Sequence, residues 1–444
     1  MFWGGLTWYS FNLASKQKNN KEVSKSIAKN TVLTLVANIS LAASNWLILV
    51  IIAKQFSDHL LGLFVFALSI CSPAFLFASF KIRTLLVVDT KWQFRFEDYA
   101  TARLLSNAFV TLVLISAVLV NLIHLPLYVL ALVIIYKLCD AWSEFCQSYM
   151  RRVFNYRAAS ISLTSRSGLT MILVLAFSVL SDSFEVLLLV WCVTAVVFAL
   201  IDNFLMLQLT KKHETTTFNY ALLIDRQAFS NAFKLYRKYL TVACALAISS
   251  LFVYLPNLLL SYQLGLQAAG QFAAISYFLV AGGILVNSVS QASTPNLARL
   301  LKNDNYPDFI QLVKKMCLVG LCIGFAGLIT SFLLGEYFLK LFYTAEIASH
   351  YPTLNWVMLA AAVRYIYIFL GTSLAAVQQF HIQTKIYSVG LVTMFFSGFL
   401  LIEKHGLVGA AQAMLIATLV ELLLFSLLSK KYWHLAFDKN KEAP

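Results

Sequence analysis

The chain has 444 residues, of which 60% are hydrophobic and 12% are charged, and its formal net charge is +14. A soluble domain carries about 25% charged residues, so this composition excludes a soluble protein. The positive charges lie beside apolar stretches and do not form one block. This placement favours topology signals next to anionic headgroups, and it predicts membrane lipids, not nucleic acid, as a partner.

About a dozen apolar stretches follow a lysine-rich N-terminal tail. A helix needs about 20 apolar residues to cross the hydrocarbon, and lipid offers no hydrogen-bond partner to an open strand, so each stretch is predicted to be a helix. The sequence therefore predicts an all-α integral membrane protein with about twelve transmembrane helices, at 31–53, 59–80, 104–123, 126–149, 161–180, 184–209, 239–262, 268–292, 313–334, 353–379, 382–402 and 406–429.

The lysines and arginines are sorted between the gaps that separate these spans. Of the 34, 29 lie in the two tails or in even-numbered gaps, and only Lys54, Lys340 and Lys404 lie in odd-numbered gaps. Because translocation of Lys and Arg is disfavoured, the sorting predicts that both termini are cytoplasmic. It leaves Lys137 and Arg364 inside apolar stretches, where a cation is costly.

The gap at 210–238 divides the spans into two halves of six. Its segment 220–238 mixes apolar and basic residues and is predicted to be an amphipathic helix on the cytoplasmic headgroups. The predicted units are a basic tail, an N-terminal six-helix bundle, a linker, a C-terminal six-helix bundle and a cytoplasmic tail, at 1–30, 31–209, 210–238, 239–429 and 430–444.

A short pattern recurs in the two halves. Gln55 is followed by Gly62-Leu63-Phe64, and at the same spacing Gln263 is followed by Gly270-Gln271-Phe272. Both copies lead into a helix. The pattern favours a parallel repeat about an axis along the membrane normal, and transporters built in this way bind substrate between their halves.

Helix four carries a polar stripe. At 100° per residue, six side chains share an arc of about 100°. Charges at the membrane centre cost at least ~2.5–3.5 kcal/mol each, so the stripe must face protein or water. Two interpretations remain open: an internal Lys137–Asp140 ion pair that joins helices, or the wall of a water-filled vestibule. The stripe consists of Lys137, Asp140, Glu144, Gln147, Ser148 and Arg151.

Three further charges fall in or near the spans. Arg364 lies in the middle of helix ten, on a face with Tyr367 and the small residue Gly371. It is either satisfied by close helix packing or part of a cationic cavity wall. Asp202 and Glu421 lie toward the predicted interior ends of helices six and twelve, and we expect both to snorkel to the headgroups.

No enzyme, metal or cofactor motif occurs in the sequence. The seven cysteines include no C-x-x-C pair, the histidines show no metal spacing, and P-loop, H-E-x-x-H and G-x-S-x-G motifs are absent. The sequence predicts a protein that is not an enzyme and needs no cofactor or metal. Without a nucleotide site, its transport is either passive or driven by an ion gradient.

Three stretches resemble the Wzx-type polysaccharide-exporter flippases, the O-antigen flippases of the MATE-like multidrug/oligosaccharidyl-lipid/polysaccharide superfamily. The first is LGLFVFALS at 61–69, running into 78–83, 88–89, 98–99 and Arg103. The second is 255–257 with Gly265, 270–272 and QASTP at 291–295. The third is GLVGAA at 406–411.

The resemblance implies two bundles forming a V around a central cavity in a bacterial inner membrane. It implies that the chain flips an undecaprenyl-diphosphate-linked oligosaccharide, for O-antigen, capsule or exopolysaccharide, from the cytoplasmic to the periplasmic leaflet by alternating access. It also implies a coupling ion, H⁺ or Na⁺, and a link to the polysaccharide polymerase and chain-length machinery. The alternative is a MATE-type ion-coupled drug or cation antiporter, which predicts an anionic cavity.

A diphosphate needs fixed positive charge in a low dielectric, so Lys137 and Arg364 are the candidate diphosphate ligands. The other candidates are Asp140, Glu144, Gln147, Asn257 and Tyr367 for ion coupling and sugar contact, and Arg83, Asp89, Arg103 and Arg151 for a cytoplasmic gate.

Overall fold

The computed structural model describes residues 32–88, 94–153, 155–213, 222–223 and 225–442. Within these ranges the chain is helical between short turns and contains no strand. The predicted basic tail and the predicted gate residue Asp89 lie outside the described residues.

The helices end at turns or at short connections. Near the C-terminus, one helical stretch, Phe380–Glu442, contains a non-helical residue, Gly406 (φ 58°, ψ −131°), a conformation that suits glycine because it lacks a Cβ. We therefore divide this stretch into α13 (380–405) and α14 (407–442). The others are α1 Val32–Gln55, α2 Asp58–Ala78, α3 Ile82–Val88, α4 Phe96–Leu119, α5 Leu127–Arg152, α6 Tyr156–Leu180, α7 Phe184–His213, α8 Arg226–Gln263, α9 Leu266–Lys302, α10 Tyr306–Phe342, α11 Ala345–Ser349 and α12 Tyr351–Ala376.

Twelve of the described helices are long enough to cross a membrane. Ten helical stretches have both the length and the apolar character of a span, and the last of them contains α13 and α14. The remaining span is α5, whose 26 residues carry the charged stripe. Large apolar side chains on the outside of the bundle, such as Phe109, Val179 and Leu333, are exposed as a lipid-facing surface requires. The all-α fold with about twelve spans is confirmed.

The spans form two halves. In the N-half, α1–α7, the helix α5 packs against α7 and α2, and α6 packs against α7. In the C-half, α8–α14, the helix α12 packs against α9, α10 and the α13–α14 stretch, which also packs against α8. The halves meet where α2 contacts α8 and α9, and where α4 contacts α8.

The recurring glycine pattern lies at this meeting point. A Cβ added to Gly62 would lie 1.8 Å from the carbonyl oxygen of Leu266, and one added to Gly270 would lie 2.9 Å from that of Asp58. Gly62 corresponds to Gly270 in the repeat, and Asp58 corresponds to Leu266 by the same offset. The crossing of α2 and α9 is therefore approximately two-fold symmetric, which supports the predicted repeat.

Several hydrogen bonds join the halves on this same side, which the charge sorting predicts to be exterior. In each of these bonds, a side chain of one half donates to an atom of the other half. The halves are therefore closed together at the predicted exterior side. The bonds run from Gln271 Nε2 to Asp58 Oδ2 (2.8 Å), from Trp46 Nε1 to Tyr343 Oη (2.9 Å) and from Lys54 Nζ to the Leu341 carbonyl (2.7 Å).

On the opposite side, α8 extends from the linker through the seventh span as one helix of 38 residues. Its first turns pack on α4. The Tyr236 hydroxyl donates to the Ala102 carbonyl, and Asn231 Nδ2 donates to Asp98 Oδ2 at 3.0 Å. The first helix of the C-half therefore begins on the predicted cytoplasmic end of the N-half.

Candidate functional site

A cavity of about 280 Å³ lies between the two halves. Helices α1, α2, α5 and α7 line it from the N-half, and α8, α9 and α14 line it from the C-half. Apolar side chains form most of the wall. The side chains that carry polar groups are Asn45, Tyr136, Lys137, Asp140, Trp191, Tyr254, Asn257, Ser276 and Tyr277.

The stripe on α5 reaches this cavity through Lys137 and Asp140, but the two residues are not an ion pair. Asp140 Oδ1 instead accepts from Arg166 Nη1 of α6 at 2.8 Å. The Arg166 side chain is 3% exposed, and its guanidinium lies 5.2 Å from the ring centroid of Tyr136. Among the described residues, Lys137 has neither a hydrogen bond nor a carboxylate within 4.0 Å. It is a cation in the cavity wall without a direct hydrogen-bond or ion-pair partner among the described side chains, although Tyr254 and Asp140 are near enough to interact with its charge.

One turn closer to the predicted cytoplasmic side, Glu144 joins two arginines of other helices. Its Oε1 accepts from Arg83 Nη1 at 2.7 Å, and its Oε2 accepts from Arg103 Nη2 at 3.2 Å. Arg83 is exposed and Arg103 is buried. Arg151, two turns further along α5, is half-buried. The predicted gate residues that the structure describes therefore lie together at the predicted cytoplasmic end of the stripe.

Gln147 does not reach the cavity. It is buried in the N-half, where its Nε2 donates to Asp202 Oδ2 at 3.0 Å. The hydroxyls of Ser143 and Ser162 also donate to the Asp202 carboxylate. Asp202 is 0% exposed, so the expectation that it snorkels to the headgroups is wrong. Three donors satisfy this carboxylate inside the bundle.

Arg364 lies within the C-half and is not among the residues that line the cavity. Its guanidinium lies 5.3 Å from the ring centroid of Phe252 on α8. Tyr367 is buried and stacks on Phe425. Glu421 is 0% exposed in the same region, so the expectation of snorkelling is wrong for this residue as well.

Of the remaining candidates, Asn257 lies on the cavity wall. It is 5% exposed, and its Oδ1 has no hydrogen-bond partner among the described residues. The structure thus brings Lys137, Asp140 and Asn257 together in one cavity, and it places Arg364 and Tyr367 in a separate buried cluster.

Positive charge exceeds negative charge around the stripe on α5, of which only Lys137 and Asp140 line the cavity. We call the basic residues of this region the cationic track. Two carboxylates on α5, Asp140 and Glu144, are already bound by arginines of the track. With Asp202 also counted, five cations face three carboxylates. The track consists of Arg83, Arg103, Lys137, Arg151 and Arg166.

No protein-family profile matches the sequence. The chain is 29% identical over 400 residues to the capsular polysaccharide biosynthesis protein CapF of Staphylococcus aureus, covering 89% of this chain and 98% of that protein. Its structure resembles an outward-facing multidrug resistance MATE family transporter of the MOP superfamily, with a TM-score of 0.66 and 13% identity over 95% of this chain and 97% of the other.

The chain has the MATE-like fold of the MOP superfamily. A second structure of this fold is a MOP superfamily transporter from Pyrococcus furiosus, for which reverse polarity of the binding pocket suggests a different function. It matches with a TM-score of 0.63 and 11% identity over 92% of this chain and 96% of the other. The resemblance of the sequence to the MATE-like superfamily is confirmed, as is the prediction of a multi-pass membrane protein.

Three charged residues lie deeper in the bundle than the sequence predicted: Arg166, Asp202 and Glu421. Arg166, one of the 29 basic residues that the sequence placed in the tails and even-numbered gaps, lies inside α6 and is 3% exposed, so Lys137 and Arg364 are not the only basic residues within the spans. Asp202 and Glu421 were placed too near the membrane surface. For Asp202 and Glu421 the available signal was a charge with apolar stretches on both sides in the sequence, whereas Arg166 lies between Ser165 and Ser167.

Proposed function

We propose that this chain moves undecaprenyl-diphosphate-linked oligosaccharide repeat units from the cytoplasmic to the periplasmic leaflet of the cell membrane by alternating access between its two halves. The observation that carries the proposal is the unpaired Lys137 at the cavity wall, at the inner end of the cationic track. A diphosphate requires this excess of fixed positive charge, whereas a cationic drug requires a carboxylate that is free to bind it.

The carboxylates of α5 are not free to bind a cationic drug. Arg166 binds Asp140, and Arg83 and Arg103 bind Glu144. The similarity to a capsular polysaccharide biosynthesis protein also supports a sugar substrate, and a reversed pocket polarity in another MOP transporter gives a precedent for an altered ligand class on this fold.

The described site suggests a path for the diphosphate. It would meet Arg83 and Arg151 first, at the predicted cytoplasmic end of α5, and Lys137 last, inside the cavity. The unpartnered Asn257 amide oxygen would accept a hydrogen bond from a sugar hydroxyl. The exterior contacts at Gly62 and Gly270 would then have to separate for release.

A deletion strain tests the proposal. Lipid-linked repeat units should accumulate at the cytoplasmic leaflet, where a membrane-impermeant sugar oxidant reaches them in inverted vesicles but not in right-side-out vesicles. Surface polysaccharide should disappear. A plasmid copy should restore both, and Lys137→Met should insert at the normal level without restoring either. The matched control is Lys404→Met, because Lys404 is an exposed lysine near the end of α13 and does not line the cavity.

Two results would overturn the proposal. One is an unchanged leaflet distribution of lipid-linked sugar in the deletion strain when no second exporter is present. The other is normal export by Lys137→Met. Loss of resistance to cationic dyes in the same strain would support the drug or cation antiporter instead.

A further inference from the structure

The turn between α2 and α3 brings a basic residue of the N-half against the C-half. The Lys81 Nζ atom lies 5.3 Å from the ring centroid of Phe380, the first residue of α13. An ammonium group within about 6 Å of an aromatic ring centroid is attracted to the face of the ring. The contact therefore links the two halves. Three other contacts of this kind each lie within one half, namely Arg166–Tyr136, Lys238–Tyr239 and Arg364–Phe252.

This contact lies on the predicted cytoplasmic side. The helix α2 begins at Asp58, beside its crossing with α9, and ends at Ala78, so the turn that follows lies at its cytoplasmic end. Phe380 lies in the even-numbered gap between the tenth and eleventh predicted spans, which the charge sorting also makes cytoplasmic. We call the pair the cytoplasmic contact. Because its two residues belong to different halves, a rotation that separates the halves on this side must break it.

Lys81 has no stronger partner than the ring. Among the described residues, its ammonium group has neither a hydrogen bond nor a carboxylate within 4.0 Å. Lys81 is half-buried, and Phe380 is exposed. A charge-assisted hydrogen bond from an ammonium group to a phosphate oxygen is stronger than an exposed contact with a ring. A phosphate group that reached this turn would therefore displace Phe380 as the partner of Lys81.

The backbone of the turn is strained. Phe80 (φ 43°) and Lys81 (φ 56°) both lie in the left-handed region, which is costly for residues other than glycine. The Phe80 side chain is buried, and its ring centroid lies 4.6 Å from that of Tyr236, in the part of α8 that packs on α4. Packing on α8 thus holds the turn in this conformation. Strain of this kind is concentrated at sites that switch between conformations.

The turn also joins two helices with different neighbours. The helix α2 packs against α8 and α9 of the C-half, whereas α3 packs against α5. The helix α3 carries Arg83, which binds Glu144 of the stripe. Lys81 and Arg83 are two residues apart, so their Cα atoms are separated by at most about 7 Å. An anion bound at Arg83, the exposed end of the cationic track, is therefore within reach of the Lys81 ammonium group.

We propose that Lys81 controls the opening of the cavity toward the cytoplasm in response to the diphosphate of the substrate. The ammonium group lies on the Phe380 ring when no anion is present, and it moves to a phosphate oxygen when a diphosphate arrives at Arg83. Loss of the ring contact allows the halves to separate on the cytoplasmic side, while the crossing of α2 and α9 stays closed. The identity of the anion as a diphosphate rests on the proposed function.

Labelling of a cysteine in the cavity tests this role without lipid-linked substrate. Ser276→Cys places a thiol in the cavity wall, where an impermeant reagent approaches it from the cytoplasmic face of inverted vesicles. The parent chain without this substitution corrects for the native cysteines. Lys81→Met and Phe380→Leu should each increase the labelling rate by about twofold to thirtyfold, the range that corresponds to the strength of such a contact. Lys238→Met is the matched control, because Lys238 contacts Tyr239 within the C-half.

Inorganic pyrophosphate, added at the cytoplasmic face, supplies the diphosphate. It should raise labelling of the chain with an intact contact toward the rate of Lys81→Met, and it should have no further effect in Lys81→Met itself. Lys81→Arg and Phe380→Tyr should label slowly and respond to pyrophosphate, because a guanidinium group also binds rings and phosphates and tyrosine preserves the ring. These two variants separate loss of the contact from a general disturbance of the turn.

The proposal is overturned if Lys81→Met and Lys238→Met are labelled at the same rate, or if the effects of Lys81→Met and Phe380→Leu simply add in the double variant. It is also overturned if pyrophosphate leaves the intact chain unchanged or acts equally on Lys81→Met. None of these measurements contains a lipid-linked sugar. A negative labelling result would therefore leave the export assay of the deletion strain standing, and a failed export assay would leave the labelling result standing.

Discussion

The Asp140–Arg166 pair gives an asymmetric prediction for folding. Arg166 is 3% exposed, whereas the Asp140 side chain is 38% exposed toward the cavity. Asp140→Leu leaves a buried guanidinium without its anion, and the loss of one partner of a buried pair costs about 3–5 kcal/mol. Arg166→Met leaves the Asp140 carboxylate, which water reaches and which lies one turn from Lys137. The free energy of unfolding should therefore fall by less, about 1–3 kcal/mol.

The double variant Asp140→Leu with Arg166→Met should recover most of the lost stability, because apolar replacements of both partners leave no buried charge. Its free energy of unfolding should be within about 1 kcal/mol of that of the parent chain. The coupling energy of the cycle would then be at least about 3 kcal/mol. Reversible unfolding in mixed detergent micelles measures all four chains. Costs that simply add, or a greater loss in Arg166→Met than in Asp140→Leu, would refute the assigned pairing.

Two other predictions concern the C-half and the exterior crossing. Arg364 does not line the cavity in this structure, so its predicted role as a diphosphate ligand requires that it reach the substrate in another conformation. In that case Arg364→Ala should insert normally and fail to export, Arg364→Lys should retain partial activity because charge survives without the forked donors, and Arg364→Gln should behave like alanine. Surface polysaccharide per unit of membrane protein measures this, and wild-type activity of the glutamine variant would show that Arg364 is not a diphosphate ligand. Gly62→Val should separate α2 from α9, because backbone atoms of Leu266 occupy the position of any Cβ at residue 62. The separation should increase labelling of a Ser276→Cys variant by an impermeant thiol reagent added from outside. Gly168→Val is its control, since nothing lies within 4 Å of a Cβ at Gly168; equal labelling in the two would contradict the closed crossing.

The sequence predicted the membrane spans and the internal repeat. The apolar stretches and the sorted positive charges together predicted twelve spans, although α5 carries five charged residues, because translocation of Lys and Arg in loops is disfavoured. The spacing around Gly62 and Gly270 also predicted a repeat, because glycine is required where backbones touch. Both the pattern of apolar and basic residues and the glycine spacing can be recognised in short stretches of the sequence.

The sequence did not predict which charges meet. Lys137 and Asp140 are near neighbours on one helix, yet Arg166 binds the carboxylate because α6 brings its side chain against α5. The depth of Asp202 and Glu421 was misjudged because both helices continue beyond the predicted ends of their spans: α7 reaches His213, one turn past residue 209, and α14 reaches Glu442, well past residue 429. Tertiary packing sets both the pairing and the depth.

The long helix α8 has a mechanical consequence. At about 1.5 Å per residue, its 38 residues form a rod of about 57 Å. One end is fastened to the N-half through Asn231 and Tyr236, and the middle supplies Tyr254 and Asn257 to the cavity wall. If that fastening holds while the crossing at Gly62 opens, the rod acts as a lever whose fulcrum lies at the cytoplasmic surface. A small rotation there becomes a large displacement at the opposite face, and the cavity wall must tilt with it.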